Sequence, residues 1–312
     1  MNVVLAVDIG GTNLRQAIVE PSGAIIDEAR CTLDLAHKTQ AHGSSAVDLM
    51  LDAIEQSLTP AITRHHPQAV GMGFPGFFDD RTRRLVASPN LPYVHDLPLA
   101  DMLAERLGLP VFMQNDALCA ALGEHRFGAG QDVTNLLHLT LGTGIGGGLI
   151  LHGRPWSGEF GMAAEFGHLR IRHGHEARPC GCGKRGCVEA YASATAIQAI
   201  YQERTGRNLD AQAVHARALT GDEDALNVWR EAGFSLGMAI AQCIILLDIH
   251  CATLSGGLTG AWYMLEPAMR EALESELIPP QRNHVSIMLS RLGERAGILG
   301  AAVLATKGLT DS

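Results

Sequence analysis

Two stretches decide how this chain reads: VVLAVDIGGTNLRQAIVE at 3–20 and NLLHLTLGTGIGGGLILHG at 135–153. Each has the pattern of strand, glycine turn and strand, an apolar run that stops at glycines and resumes after them. Such a turn lets backbone N–H groups approach a ligand, because no Cβ stands in the way and positive φ is permitted. It can therefore cradle phosphate. A single glycine pair reads most simply as a tight hairpin. Two copies with threonines in matching places, Thr12 and Thr143, point instead to a pair of phosphate clamps and to two related lobes. Asp8 ends the first apolar strand, where its carboxylate could orient a metal ion or a bound water. Neither turn is a Walker loop, since each lacks the Gly-Lys-Ser/Thr end and opens no helix.

Outward from these turns, apolar spacing predicts a helix over 45–64 and an amphipathic helix from Leu97 to Leu107. QAVGMGFPGFF at 68–78 reads as a buried strand running into a Pro-Gly turn. LPVFMQND is a short strand ending at Asn115 and Asp116, and ALCAALGEHRFG continues as helix. Beyond residue 190 the chain is mostly helical, broken by CATLSGGLTG, a strand ending in Gly256 and Gly257, where an adenine or ribose could lie on bare backbone. This alternation implies an α/β protein with helices packed on mixed sheets, and no low-complexity linker separates its parts, so the lobes are expected to meet across a cleft.

At 312 residues, two lobes are the natural expectation. A net charge of −9 disfavours nucleic acid or an anionic membrane as the main partner, which leaves a small molecule. The N-terminus lacks the features of a signal peptide. AIAQCIILLDIHCATLSGG at 239–257 is interrupted by Asp248 and His250 and reads as buried helix followed by strand. Seven cysteines is an odd count, and Cys31, Cys119, Cys243 and Cys251 sit apart in apolar surroundings as core thiols do. A reducing, cytoplasmic setting is expected.

The remaining three cysteines crowd into CGCGKRGC at 180–187. Cys180 and Cys182 are one residue apart, too close for an unstrained bridge and wrongly spaced for a thioredoxin-like pair. Three thiolates and one histidine would complete a closed tetrahedral zinc site. His168, His173 and His175 are all in range, and spacing does not choose among them. The ion is expected to be structural, holding the loop from Glu165 to Glu189.

DIGGTN, GFPG, SPNLP, QND, LGTGIGGG, GEFGMAAEFGH, CGCGKRGCVEAYAS and LSGG occur here in the order found in the ROK family, which the chain resembles over nearly its whole length. That family comprises bacterial glucokinases, related sugar kinases and sugar-responsive repressors. The resemblance implies the two-lobed actin-like ATPase (ribonuclease H-like) fold, with sugar and nucleotide meeting in the cleft. The smaller lobe would be 1–115, completed by a C-terminal helix at 296–312, and the larger lobe, with the zinc loop, 116–295. The resemblance makes His168 the fourth zinc ligand beside Cys180, Cys182 and Cys187. It assigns sugar contacts to Gly76, Asn90, Asn115, Asp116, Glu165, His168 and Glu189, and the catalytic base to Asp116. An isolated Asp at a strand-to-helix junction is most often an N-cap; the helix N-terminus there would favour its charged form. The nucleotide would meet Asp8, Gly10, Gly11, Thr12 and Asn13, then Gly142, Thr143 and Gly144, then Gly256 and Gly257.

ATP, Mg2+ and a structural Zn2+ are the implied cofactors, and a cytoplasmic homodimer is the implied assembly. Glucose is the first choice of sugar; N-acetylglucosamine, N-acetylmannosamine and allose are the alternatives. AAEFGH lacks the His-Pro-Glu of ROK fructokinases, which makes fructose less suited, while Ala194 departs from the usual Tyr-Ala-Ser-Gly. Some relatives use polyphosphate as donor. A ROK repressor would carry a helix-turn-helix domain ahead of the first hairpin, and only seven residues precede Asp8, so an enzyme is expected.

Overall fold

The computed structural model describes residues 2–10, 13–33, 44–88, 91 and 93–311, with the backbone alone at 44, 45 and 311. In chain order its strands are β1 (Val4–Ile9), β2 (Asn13–Val19), β3 (Ile25–Thr32), β4 (Val70–Phe74), β5 (Phe77–Asp79), β6 (Arg84–Ala87), β7 (His95–Leu97), β8 (Val111–Asn115), β9 (Leu136–Leu141), β10 (Ile145–Leu151), β11 (Arg154–Pro155), β12 (Cys251–Ser255) and β13 (Ser286–Leu289). Its helices are α1 (Ser44–His65), α2 (Leu99–Leu107), α3 (Asp116–Phe127), α4 (Glu189–Ala192), α5 (Ala194–Thr205), α6 (Ala211–Leu219), α7 (Glu223–Leu247), α8 (Trp262–Glu276), α9 (Pro279–Arg282) and α10 (Ala296–Asp311).

Apart from Asp8, β1 is apolar because both of its faces are covered. Leu5, Val7 and Ile9 enter one core with Met50, Ile54 and Leu58 of α1. Val4 and Ala6, pointing the other way, enter a second core with Ile298, Ala301, Ala302 and Ala305 of α10. The strands form two five-stranded sheets of one plan, β3-β2-β1-β4-β8 and β11-β10-β9-β12-β13, and a small sheet β5-β6-β7. In the first, β1 pairs antiparallel with β2 and parallel with β4, and β4 pairs parallel with β8. In the second, β9 pairs parallel with β12 and β12 parallel with β13. The repeated plan agrees with the two related hairpins read from the glycine turns.

Two compact units account for the chain: Met1–Thr134 with Gly148–Ala163 and Arg291–Ser312, and Asn135–Gly147 with Ala164–Ser290. The first division therefore falls after Thr134, not at the expected 115/116. Its cause is the packing of α3 on α10. A Cβ on Gly123 would run into the Ala296 carbonyl, and one on Gly300 into the Cys119 carbonyl, so the two helices touch backbone to backbone. In the second unit, α7 is long and apolar enough by length and composition to cross a membrane; half of its apolar window is buried, and its Ala239–Leu247 portion is the helix expected there, except that Ile245, Leu246 and Leu247 at its end are exposed and not buried.

Candidate active site

Parallel register sets Asp8 beside Gly73, and Gly73 beside Gln114, so β1, β4 and β8 finish at one edge of the first unit's sheet. Gly73 leaves a gap there: a Cβ on it would lie 3.5 Å from both the Asp116 Cα and Asp8 Oδ1. The carboxyl groups of Asp8 and Asp116 interact. Burial pushes Asp8 up to about 6, the Asp116 charge pushes the same way, and Arg15 opposes them. Burial also raises Asp116, against the stabilising Ala117 N–H that its Oδ1 accepts at 2.9 Å. The N–H donors at the helix start do favour the charged form of Asp116, as expected, but desolvation outweighs them and the net shift is upward.

Asp116 is the first residue of α3, and the cap before it is Asn115. Asn115 Oδ1 accepts from the N–H groups of Ala117 and Leu118 at 3.0 and 3.1 Å, and its Nδ2 donates to the Gly76 carbonyl at 3.2 Å. The structure thus joins Gly76, Asn115 and Asp116, and frees Asp116 from the capping duty that such an Asp commonly performs. Behind them is a network with no signal in the sequence. The Asn115 N–H donates to Gln114 Oε1 at 2.8 Å, Gln114 Nε2 donates to Asp80 Oδ1 at 3.0 Å, and Asp80 Oδ2 accepts from the Ser157 hydroxyl. In the first glycine turn the Gly10 N–H donates to the Asn13 carbonyl at 2.8 Å. Gly11, Thr12 and Asn90 lie outside the described residues.

In the second unit the turn of Gly142, Thr143 and Gly144 has part of its donor capacity already engaged. The Gly142 N–H donates to the Gly144 carbonyl at 3.0 Å, and the Ile145 N–H to Glu189 Oε2 at 3.0 Å. Gly256 has φ 92° and backs onto the Leu141 carbonyl, whereas a Cβ on Gly257 would meet nothing within 4 Å. The first glycine is there for packing and the second leaves open backbone, as the nucleotide expectation needs. A buried imidazole supports this strand end: His138 Nδ1 lies 2.8 Å from Thr253 Oγ1 and its Nε2 3.0 Å from Ser255 Oγ. Only the register of β9 against β12 reveals that set, so sequence reading missed it.

Of the three candidate histidines, His168 alone joins the cysteines; His173 and His175 are exposed. The ligand atoms of His168, Cys180, Cys182 and Cys187 lie within 4.8 Å of one another. Cys182 and Cys187 are 3.7 Å apart at sulfur, and Cys180 Sγ is 3.7 Å from His168 Nδ1. Tetrahedral zinc with the usual bond lengths sets these separations at about 3.8 and about 3.6 Å. The donor set and its spacing fit a closed structural metal site. His168 Nε2 has the carboxylate of Glu165 near it, at 3.8 Å from Oε2. Burial pushes the Cys180 thiol up to about 12, while Cys182, against its own burial, is lowered by Lys184 and the neighbouring thiols. A cation binding there displaces protons, so its hold weakens in acid.

Comparison with known proteins bears on both units together. The ROK family profile matches residues 4–308. The chain belongs to the ROK family. A ROK relative, the glucokinase of Thermotoga maritima, is 33% identical over 314 residues, covering 96% of each chain. The N-acetyl-D-glucosamine kinase of Mannheimia succiniciproducens is 34% identical over 245 residues, covering 76% of this chain and 80% of its own. Among solved structures, a ROK family glucokinase from Streptomyces griseus in complex with glucose and AMPPNP superposes with a TM-score of 0.80 at 31% identity, covering 98% of this chain and 100% of that one. The fold of this ROK protein is accordingly the two-lobed actin-like ATPase fold, with mixed sheets and helices as expected.

Proposed function

We propose that this chain transfers the γ-phosphoryl group of ATP to the 6-hydroxyl of glucose. The observation that carries the reading is Asp116: an uncapping, desolvated carboxyl beside Asp8, at the end of β8, in a chain similar to glucokinases from end to end. Phosphoryl transfer needs an aligned acceptor, neutralised phosphates and a base for the hydroxyl proton. Asp116 takes that proton, and its raised pKa brings it closer to neutral pH, where a general base works best. Asp8 would hold Mg2+ or its water shell, and the bound ion would supply charge neutralisation on the phosphates. Gly10, Gly11, Thr12 and Asn13, with Gly142, Thr143 and Gly144, hold the phosphates; Gly256 and Gly257 face the nucleoside.

Sugar hydroxyls go to Gly76, Asn90, Asn115, Asp116, Glu165, His168 and Glu189, whose carboxylates and amides pair with vicinal hydroxyls. Zinc on His168, Cys180, Cys182 and Cys187 ties the loop that carries Glu165 and Glu189. The reading includes a cytoplasmic homodimer without nucleic-acid or membrane partners, in keeping with the net charge of −9.

N-acetylglucosamine is the second reading, favoured by the similarity to an N-acetyl-D-glucosamine kinase. N-acetylmannosamine and allose follow from the family resemblance. A coupled ADP-release assay over glucose, mannose, allose, fructose, N-acetylglucosamine and N-acetylmannosamine decides. Glucose should win by at least an order of magnitude; a larger rate with an N-acetyl sugar replaces the first reading by the second, and no ADP release with any sugar refutes both.

A further inference from the structure

The chain that opens α4 and joins it to α5 is fastened to the turn between β9 and β10 at three points. Glu189 Oε2 accepts from the Ile145 N–H at 3.0 Å. The Ala194 N–H donates to the Gly142 carbonyl at 2.9 Å. The Thr195 hydroxyl donates to the Thr143 carbonyl at 2.9 Å. Gly144 carries none of these bonds, but the carboxylate lies close against it: a Cβ there would be 2.6 Å from Glu189 Oε2. The other oxygen of that carboxylate, Oε1, stands 3.8 Å from Cys180 Sγ. One side chain thus reaches the glycine turn with one oxygen and the cysteine cluster with the other.

Glycine turns sample many backbone conformations, so a phosphate clamp built on one works only when something external holds it. We propose that Glu189 and Thr195 are positioning residues for the nucleotide-binding turn at 142–145, and that the filled cysteine site is felt in nucleotide affinity through Glu189. This goes beyond sugar contact for Glu189, gives Thr195 a role, and rests on the sugar-kinase reading. Ala194 fits the scheme, since its part is played by backbone N–H and survives the departure from glycine at that position.

The test is calorimetric binding of AMPPNP with Mg2+ and no sugar, on protein shown to be folded by circular dichroism and loaded by metal analysis. Thr195→Val should weaken nucleotide binding about three- to tenfold, the usual worth of one hydrogen bond, and Thr195→Ser should restore it. Glucose affinity, titrated separately, should stay unchanged in both. Glu189→Gln keeps an oxygen that can accept from Ile145 and should bind nucleotide better than Glu189→Ala. Stripping the metal with a chelator should weaken nucleotide binding in the parent protein and do less in Glu189→Ala. Wild-type nucleotide affinity in folded Thr195→Val and Glu189→Ala would overturn the proposal, as would an equal chelator effect in parent and Glu189→Ala. Binding is read without turnover, so failure to phosphorylate any hexose would refute the sugar-kinase reading and leave this result to be judged separately.

Discussion

A Cβ placed on Gly297 would stand 3.0 Å from the carboxyl carbon of Asp8. The first turn of α10 therefore bears directly on the acid that ends β1, and bare backbone is what lets both occupy their places. In an ordinary helix, Gly→Ala stabilises by about 1 kcal/mol. Here Gly297→Ala should leave the melting temperature within a few degrees while lowering kcat by about tenfold or more and raising the Mg2+ concentration needed, because Asp8 must move. Unchanged kcat and Mg2+ dependence would show that Asp8 tolerates the displacement.

Asp116→Asn should abolish turnover in a folded protein that still binds sugar. The cap of α3 is Asn115, so the helix start survives the change. Asn115→Ala, by contrast, should lose about 1 kcal/mol with the cap and weaken sugar binding as well. A near-normal rate in Asp116→Asn removes Asp116 from the chemistry.

The raised carboxyls set the pH response. Asp8, up at about 6 from 3.8, favours its protonated form in the fold, so the stability it lends is complete below pH 3.8 and is lost as pH rises through about 6. Urea midpoints of the parent should fall relative to Asp8→Asn across that window, and a constant difference would contradict the assignment. Activity runs the other way, since the base must be ionised, and the acid limb of kcat/KM should be displaced upward from that of an ordinary aspartate. In Asp116→Asn, removal of the neighbouring charge should lower the Asp8 pKa, read by carboxyl infrared or NMR titration.

Chelation should weaken sugar binding together with the local stability of the loop between Glu165 and Glu189, detected as faster proteolysis there. Protein purified without chelator should carry one zinc per chain. Full activity with no zinc would end the proposed role of the cluster.

The α3–α10 crossing should be intolerant of any side chain. Gly300→Ala drives a methyl group into the Cys119 carbonyl, and overpacking of this kind costs about 1–3 kcal/mol. Lower yield and a lower unfolding midpoint are expected, and a parent-like midpoint would mean that the helices can part cheaply.

Local signals carried the fold a long way. The turn at Gly10 and its counterpart at Gly142 marked the two sheets, and three cysteines with a histidine nearby marked the metal cluster, because each depends on residues close in the chain. Choosing His168 over His173 and His175 required the resemblance, and then the folded loop. What stayed hidden depends on register and on distant approach. Gln114 and Asp80 look like ordinary polar residues until β8 brings them behind Asn115. His138 looks like an interruption of an apolar strand until β12 supplies two hydroxyls. The upward shift of Asp116 stayed hidden for the same reason, since burial is a property of the assembled core and not of a strand-to-helix junction.

The helix that covers Val4 and Ala6 is made long after them. During synthesis, β1 and β4 leave the ribosome more than 200 residues before Ile298, Ala301 and Ala305 can close over them. Until then that apolar sheet face lacks its α10 partners, so a product stopped short of residue 296 should be more open to proteases than the whole chain.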